Sequence, residues 1–191
     1  MKFISYWLDT RTAFNAAATA PIEGRADVVV IGGGFTGLAC ALTLARQGAE
    51  VVLLEADIVG GAASGRNGGH CHNGFFHDYA ATMKRFGPDT AREVYHSYMT
   101  AVDVVETIVR DEDIDCAFRR PGKVKLAVTP AAFDKFRADV DLVNREVDPE
   151  IYIVPPERIR DEIGSELFHG GIIYPRSAML HVGRFGAGMA E

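Results

Sequence analysis

The chain has 191 residues, 48% of them hydrophobic, and a formal net charge of −6 from 20 Lys and Arg against 26 Asp and Glu. That composition supplies a globular core and excludes a disordered chain. It has no basic run and no apolar stretch of membrane-spanning length, so neither nucleic acid nor a membrane is expected as a partner.

The length fits one domain, or one and a half. The opening MKFISYWLDTRTAF lacks the sustained apolar core and small-residue cleavage site of a signal peptide. Cys40, Cys71 and Cys116 are odd in number, far apart and without CxxC spacing. They suit a reducing cytoplasm and predict no metal site; the six histidines are likewise too scattered to read as ligands. Residues 1–26 read as an extended arm or short helix, with Phe3, Tyr6 and Trp7 available to pack on a neighbour.

From Asp27 the pattern sharpens. Asp27–Ile31 is a short apolar run of the kind a doubly buried strand needs. Gly32-Gly33-Gly34-Phe35-Thr36-Gly37 follows at once, a G-x-G-x-x-G between strand and helix. Gly32 permits the tight turn, Gly34 leaves the backbone open to a diphosphate, and Gly37 lets the helix lie close on the sheet. Ala41, Ala45 and Gly48 continue that small-residue face. A second strand, Val51–Leu54, ends in Glu55, 18 residues after Gly37. A carboxylate there accepts hydrogen bonds from a ribose diol and repels a 2′-phosphate, which favours FAD or NAD over NADP.

Residues 56–70 are too rich in small residues to form a core, so they read as a loop or helical turn against which something large lies. Ser64, Arg66 and Asn67 bring donors, and the glycines bare backbone N–H groups, which suits a diphosphate or the polar edge of a flavin. A flexible linker is the plainer alternative.

Phe75, Phe76, His77 and Tyr79 stand before a helix and are candidates for the flavin side of a pocket, though burial alone accounts for them. Ala91, Val94, Tyr95, Tyr98, Val102, Val105, Ile108 and Val109 recur at helical steps, so the spacing predicts a long helix whose aromatics belong to the core. DCAFRR-PG-KVKLAVT, Asp115–Thr129, predicts two strands around a Pro121-Gly122 turn, with Cys116 a buried thiol. A helix over Pro130–Glu146, a strand over Ile151–Val154, a helix from Pro155-Pro156 through Ile163, a strand over Leu167–Tyr174 and a final helix from His181 complete the pattern.

The opening motif together with GAASGRNGGH, and more weakly PGKVKLAV (Pro121–Val128) and GGIIYPRSAMLHVGRFGAGMA (Gly170–Ala190), resembles the FAD-dependent amine and amino-acid oxidases of the D-amino acid oxidase superfamily. Within it the likeness is to the gamma-glutamylputrescine oxidase group, with His70 where that group carries a glutamine. The resemblance implies an α/β fold: a Rossmann-type FAD-binding βαβ with an inserted helical and β-hairpin substrate-domain portion. The expected organisation is an arm (1–26), the FAD-binding βαβ and glycine turn (27–80), a substrate-side segment (81–166) and a return toward the FAD domain (167–191). The expected FAD-binding set is Gly32, Gly34, Phe35, Thr36, Gly37, Glu55, Ala56, Ala63, Ser64, Arg66, Asn67, Gly68, Gly69 and His70.

The resemblance implies oxidation of a C–N bond of a small amine or amino acid by hydride transfer to flavin, with oxygen as acceptor. No acid–base pair or nucleophile in the sequence demands a catalytic role. His70 is the candidate flavin neighbour, a structural histidine explains it equally, and Cys71 beside it raises a covalent flavin link. Only two parallel strands are evident, where a doubly wound sheet has about five or six. The expectation is therefore an incomplete, N-terminal part of an oxidase, truncated or paired with a second chain. A non-catalytic FAD-binding subunit and an NAD-dependent dehydrogenase are the alternatives.

Overall fold

The computed structural model describes residues 2–18, 20–73 and 78–191. In chain order the first elements are α1 (Tyr6–Asp9), β1 (Val28–Ile31), α2 (Phe35–Arg46), β2 (Val51–Leu54), β3 (His70–Cys71), α3 (Tyr79–Phe86) and α4 (Pro88–Asp111). They are followed by β4 (Lys123–Leu126), α5 (Pro130–Glu146), β5 (Tyr152–Val154), β6 (Gly171–Tyr174), β7 (Ala178–Met179) and α6 (Val182–Gly188). Short 3-10 turns lie at Ala63–Gly65 and Pro156–Asp161. Two units result, one from residues 1–69, 107–118 and 180–191, the other from 70–106 and 119–179.

In the first unit β1 and β2 pair in parallel, Val28 opposite Val51 and Ile31 opposite Leu54. A parallel pair needs a crossover, and α2 supplies it, burying Leu38. Gly37 is the reason the helix can lie so low: a Cβ there would run into the Gly32 carbonyl. Val29 and Ile31 remain 55% and 85% exposed, so the apolar sequence of β1 is not matched by burial on both faces. Ser5 caps α1 by accepting from Leu8 N–H. At the far end of α2, Arg46 Nε donates to Glu112 at 2.7 Å.

In the second unit β4, β6 and β5 form an antiparallel sheet in that order, with Lys123 opposite Tyr174 and Tyr152 opposite Ile173. The period-2 alternation separates its two faces. Ile172 and Tyr174 join the cluster built with Phe136, Val140 and Val143 of α5 and Tyr95 of α4, while Val154 and Ile173 pack with Ile159 and Val124. Phe136, Val140 and Val143 sit at i, i+4 and i+7, and burying each such side chain contributes about 1.5–3 kcal/mol. Thr129 caps α5, accepting from Ala132 N–H at 3.1 Å, with Pro130 in the first turn; Asp78 caps α3 through Ala81 N–H at 2.7 Å. Arg120 holds Asp103 and Glu106 of α4 at 2.7 and 2.6 Å.

Several boundaries depart from the sequence pattern. The hairpin expected over 115–129 does not form: Ala117 turns with φ +51°, Arg119 pairs instead with Met179, and β4 pairs with β6. Gly122, at φ +79°, donates its N–H to the Ser177 carbonyl and so directs the chain to the turn after β6 rather than back on itself. The helix expected after Pro155-Pro156 is a 3-10 turn, and the strand expected from Leu167 begins at Gly171, Leu167 being 81% exposed. The β3–β7 pairing has no counterpart in the sequence reading. Cys116 is fully buried, as its alternation with Phe118 predicts.

Candidate functional site

Two glycine-rich segments of the first unit are laced together by three hydrogen bonds. Glu55 Oε2 accepts the Gly33 N–H at 2.6 Å, Gly60 N–H donates to the Gly33 carbonyl at 2.9 Å, and Ser64 Oγ accepts the Phe35 N–H at 3.0 Å. Gly32 sits at φ +104°, a conformation open to glycine, and its N–H extends the β1–β2 ladder to the Leu54 carbonyl at 2.7 Å. The G-x-G-x-x-G turn is thereby fixed at the carboxyl ends of both strands, where open α/β sheets bind ligands.

The Glu55 carboxylate also accepts the Asp57 N–H at 3.0 Å. The Gly33 N–H first, and that of Asp57 next, hold its carboxyl below the usual glutamate value, with the Ala56 N–H adding to them. Gly34 is the N-cap of α2 and brings no capping side chain, so the first-turn N–H groups rely on Ser64 or a ligand. A Cβ on Gly34 would meet only Ser64 Oγ, at 3.1 Å. Phe35 sets its ring edge-on against Phe185 with centroids 5.5 Å apart, and Thr36 lies in the first turn of α2.

The second glycine segment is folded partly by its own side chains. Asn67 Nδ2 donates to the Ser64 carbonyl at 2.9 Å while its Oδ1 accepts the Gly69 N–H at 2.9 Å. Arg66 Nε donates to the Gly61 carbonyl at 2.8 Å, and the side chain is otherwise exposed. Ala63 opens the 3-10 turn and Gly68 is exposed. Asn67 therefore shapes the loop, and the Ser64 hydroxyl keeps its hydrogen for another acceptor.

His70 belongs to the second unit, exposed in β3 opposite Met179, its ring 6.2 Å from that of His72. His72 is held below the ordinary histidine value by burial and by Lys123, whose Nζ lies 3.4 Å from His72 Nδ1 and 4.3 Å from the Tyr174 ring centroid. Burial, then Lys125, lowers Lys123 itself to about 8. Burial pushes the Cys71 thiol up, away from the thiolate that a covalent link would use. Phe75, Phe76 and His77 lie outside the described residues, and Tyr79 is buried in the core cluster.

The sequence reading missed Gly60, three residues that reach the turn from outside it, Ser5, Trp7 and Arg11, and His181, which packs on Trp7 and Thr10. The run Gly60-Gly61 was a visible signal for the first. Nothing local signals the others, because their partners lie 48 to 60 residues away in the chain, or 171 for His181 and Thr10.

A family model for FAD dependent oxidoreductases (DAO) matches residues 27–191, and the chain belongs to that family, whose cofactor is FAD. It is 31% identical over 187 residues to the gamma-glutamylputrescine oxidoreductase of Escherichia coli (strain K12), a match spanning 98% of this chain and 44% of that protein. Among solved structures it is similar to the L-amino acid deaminase of Proteus myxofaciens, with a TM-score of 0.73 and 19% identity, covering 94% of this chain and 38% of that one. The glycine oxidase of Geobacillus kaustophilus follows at TM-score 0.67 and 19% identity, covering 87% and 43%. The chain thus spans less than half the length of each of these proteins, and the structural likeness establishes the mixed α/β fold of FAD-binding members of the family. Among the described residues no helix is long and apolar enough to cross a membrane.

Proposed function

We propose that this chain carries the FAD site of an oxidoreductase that oxidises a C–N bond of a small amine or amino acid, with oxygen as the electron acceptor. The observation that carries this reading is the lacing of the G-x-G-x-x-G turn to the second glycine segment through Glu55, Gly60 and Ser64. The residues present suit the cofactor. Glu55 uses only part of its acceptor capacity on Gly33 and Asp57, leaving lone pairs for a ribose diol. The uncapped start of α2, with Gly32, Gly34, Phe35, Thr36 and Gly37, would take the diphosphate, joined by the Ser64 hydroxyl. Ala56, Ala63, Arg66, Asn67, Gly68 and Gly69 would line the same ligand, and His70 would steer the substrate or tune the charge near the ring.

When bound, FAD supplies a two-electron acceptor for a hydride leaving the carbon that bears the amine. The protein's share is to orient that carbon and exclude water. A cytoplasmic location suits the three unpaired cysteines, and a second chain counts among the candidate partners. Family membership sets aside the NAD-dependent dehydrogenase.

The test is the absorption spectrum of the purified chain after incubation with FAD, followed by a peroxide assay with small amines and amino acids. Bound flavin with amine-dependent peroxide is the expected result. Bound flavin without peroxide identifies an FAD-binding portion that needs further protein to turn over, and no flavin uptake contradicts the proposal.

A further inference from the structure

The segment preceding β1 reaches the second glycine segment at three places. Ser5 Oγ donates to the Gly65 carbonyl at 2.8 Å, Trp7 Nε1 to the Asn67 carbonyl at 2.6 Å, and Arg11 Nη1 to the Val59 carbonyl at 2.8 Å. These carbonyls bracket the 3-10 turn at Ala63–Gly65 on both sides. Glycines make the close approach possible: a Cβ on Gly69 would lie 3.1 Å from the Trp7 ring, and one on Gly183 would collide with the Trp7 backbone.

His181 holds this segment from the other side. Its ring stands edge-on to Trp7 with centroids 5.0 Å apart, and its Nε2 lies 2.9 Å from Thr10 Oγ1. Its Nδ1 accepts the Arg184 N–H at 3.1 Å and so caps α6. That bond needs a bare Nδ1, which places the ring hydrogen on Nε2, where it donates to Thr10 Oγ1. Thr10 in turn donates to the Tyr6 carbonyl at 2.6 Å.

We propose that residues 5–11 are a positioning strap, clasped by neutral His181, which fixes the shape of the 59–69 turn and thereby sets how firmly the chain holds FAD. The inference rests on the cofactor placement argued above. A second proton on His181 would set an N–H against the Arg184 N–H and undo the cap. The groups facing the ring are Arg184 on its own helix, Asp115 paired with Arg184 at 3.8 Å, Arg11 against Gly183, the Tyr6 ring, and Cys116, whose thiol burial pushes up and whose carbonyl accepts the His181 N–H. Burial, then Arg184, holds the His181 pKa below its ordinary value of 6.5. Folding therefore favours the neutral ring: the clasp is complete above about pH 6.5 and is lost as the pH falls through the lowered folded-state value.

Trp7 is the only tryptophan, so its emission reports on the strap without any ligand. Trp7→Phe keeps an aromatic ring and removes the donor to Asn67. The expected result is faster amide exchange across residues 59–69, unchanged exchange in β1 and β2, and FAD affinity lower by about 2- to 10-fold, the worth of one hydrogen bond. In the unsubstituted chain, lowering the pH from 8 to 5 should change Trp7 emission and lower the protection of the same amides, taken relative to their intrinsic exchange rate at each pH. His181→Asn, which can still cap a helix but does not titrate, should make both flat. Unaltered exchange in Trp7→Phe, or a pH response that survives in His181→Asn, overturns the strap. If exchange and emission behave as expected while neither form takes up FAD, the cofactor placement is what fails, and the strap's hold on the turn stands.

Discussion

The glycines of the first motif divide by what a methyl group would strike. At Gly37 it would enter the Gly32 carbonyl, so this residue serves the fold; at Gly34 it would reach only Ser64 Oγ, at 3.1 Å. Gly37→Ala is therefore expected to destabilise the chain by about 1–3 kcal/mol, the usual cost of overpacking, read as a lowered thermal midpoint. Gly34→Ala should leave that midpoint nearly unchanged and weaken FAD binding at least tenfold in a fluorescence titration. Equal losses of stability in the two variants would contradict this division. Glu55 adds a pH dependence. Its folded-state carboxyl titrates below its usual value of 4.5 because Gly33 and Asp57 donate to the charged form. The stability it contributes is present above about pH 4.5 and is lost as the pH falls through the lowered value. Urea midpoints measured from pH 7 to 3 should fall less steeply in Glu55→Gln than in the unsubstituted chain.

At the scale of elements, the second unit depends on a buried polar network between α4 and three loops, those after β3 and α5 and the turn between β6 and β7. Asp148 accepts from Tyr95 Oη at 2.9 Å, from Asn73 Nδ2 at 3.4 Å and from the Glu150 N–H at 3.1 Å, and Asn73 Oδ1 accepts from Ser177 Oγ at 3.0 Å. Asp148→Ala leaves a buried hydroxyl and amide short of an acceptor and should cost about 2–5 kcal/mol in a urea melt. A cost below about 1 kcal/mol would show that the loops reorganise freely. How legible each element was follows from where its partners lie. β1, β2, α4 and α5 follow from local periodicity, and Val51–Leu54 and Pro130–Glu146 coincide with the residues their patterns mark. The hairpin at 115–129 was misread because Arg119 pairs with Met179, 60 residues on, a choice no local pattern encodes. The glycine motif and Glu55 were readable as a unit because strand, turn, helix and acid are consecutive. Ser64 was visible as a donor, yet its bond to Phe35 was not, and the strap was invisible because it acts through backbone carbonyls, whose sequence carries no mark.

For the whole molecule, the glycine turn and Glu55 proposed to hold the cofactor sit in the first unit. Membership of the FAD dependent oxidoreductase family gives FAD as the cofactor, and the bond that fixes Glu55 on Gly33 leaves a carboxylate at the end of β2 of the kind that a dinucleotide's ribose diol would use. The central claim is that these glycine-bared amides and Glu55 grip FAD. The most direct test is a titration of the purified chain with FAD at pH 7.5, monitored by flavin absorbance and fluorescence, beside the same titration of Gly34→Val. Saturable flavin binding by the unsubstituted chain and none by the variant is the predicted result; equal flavin binding by both, or none by either, would contradict it.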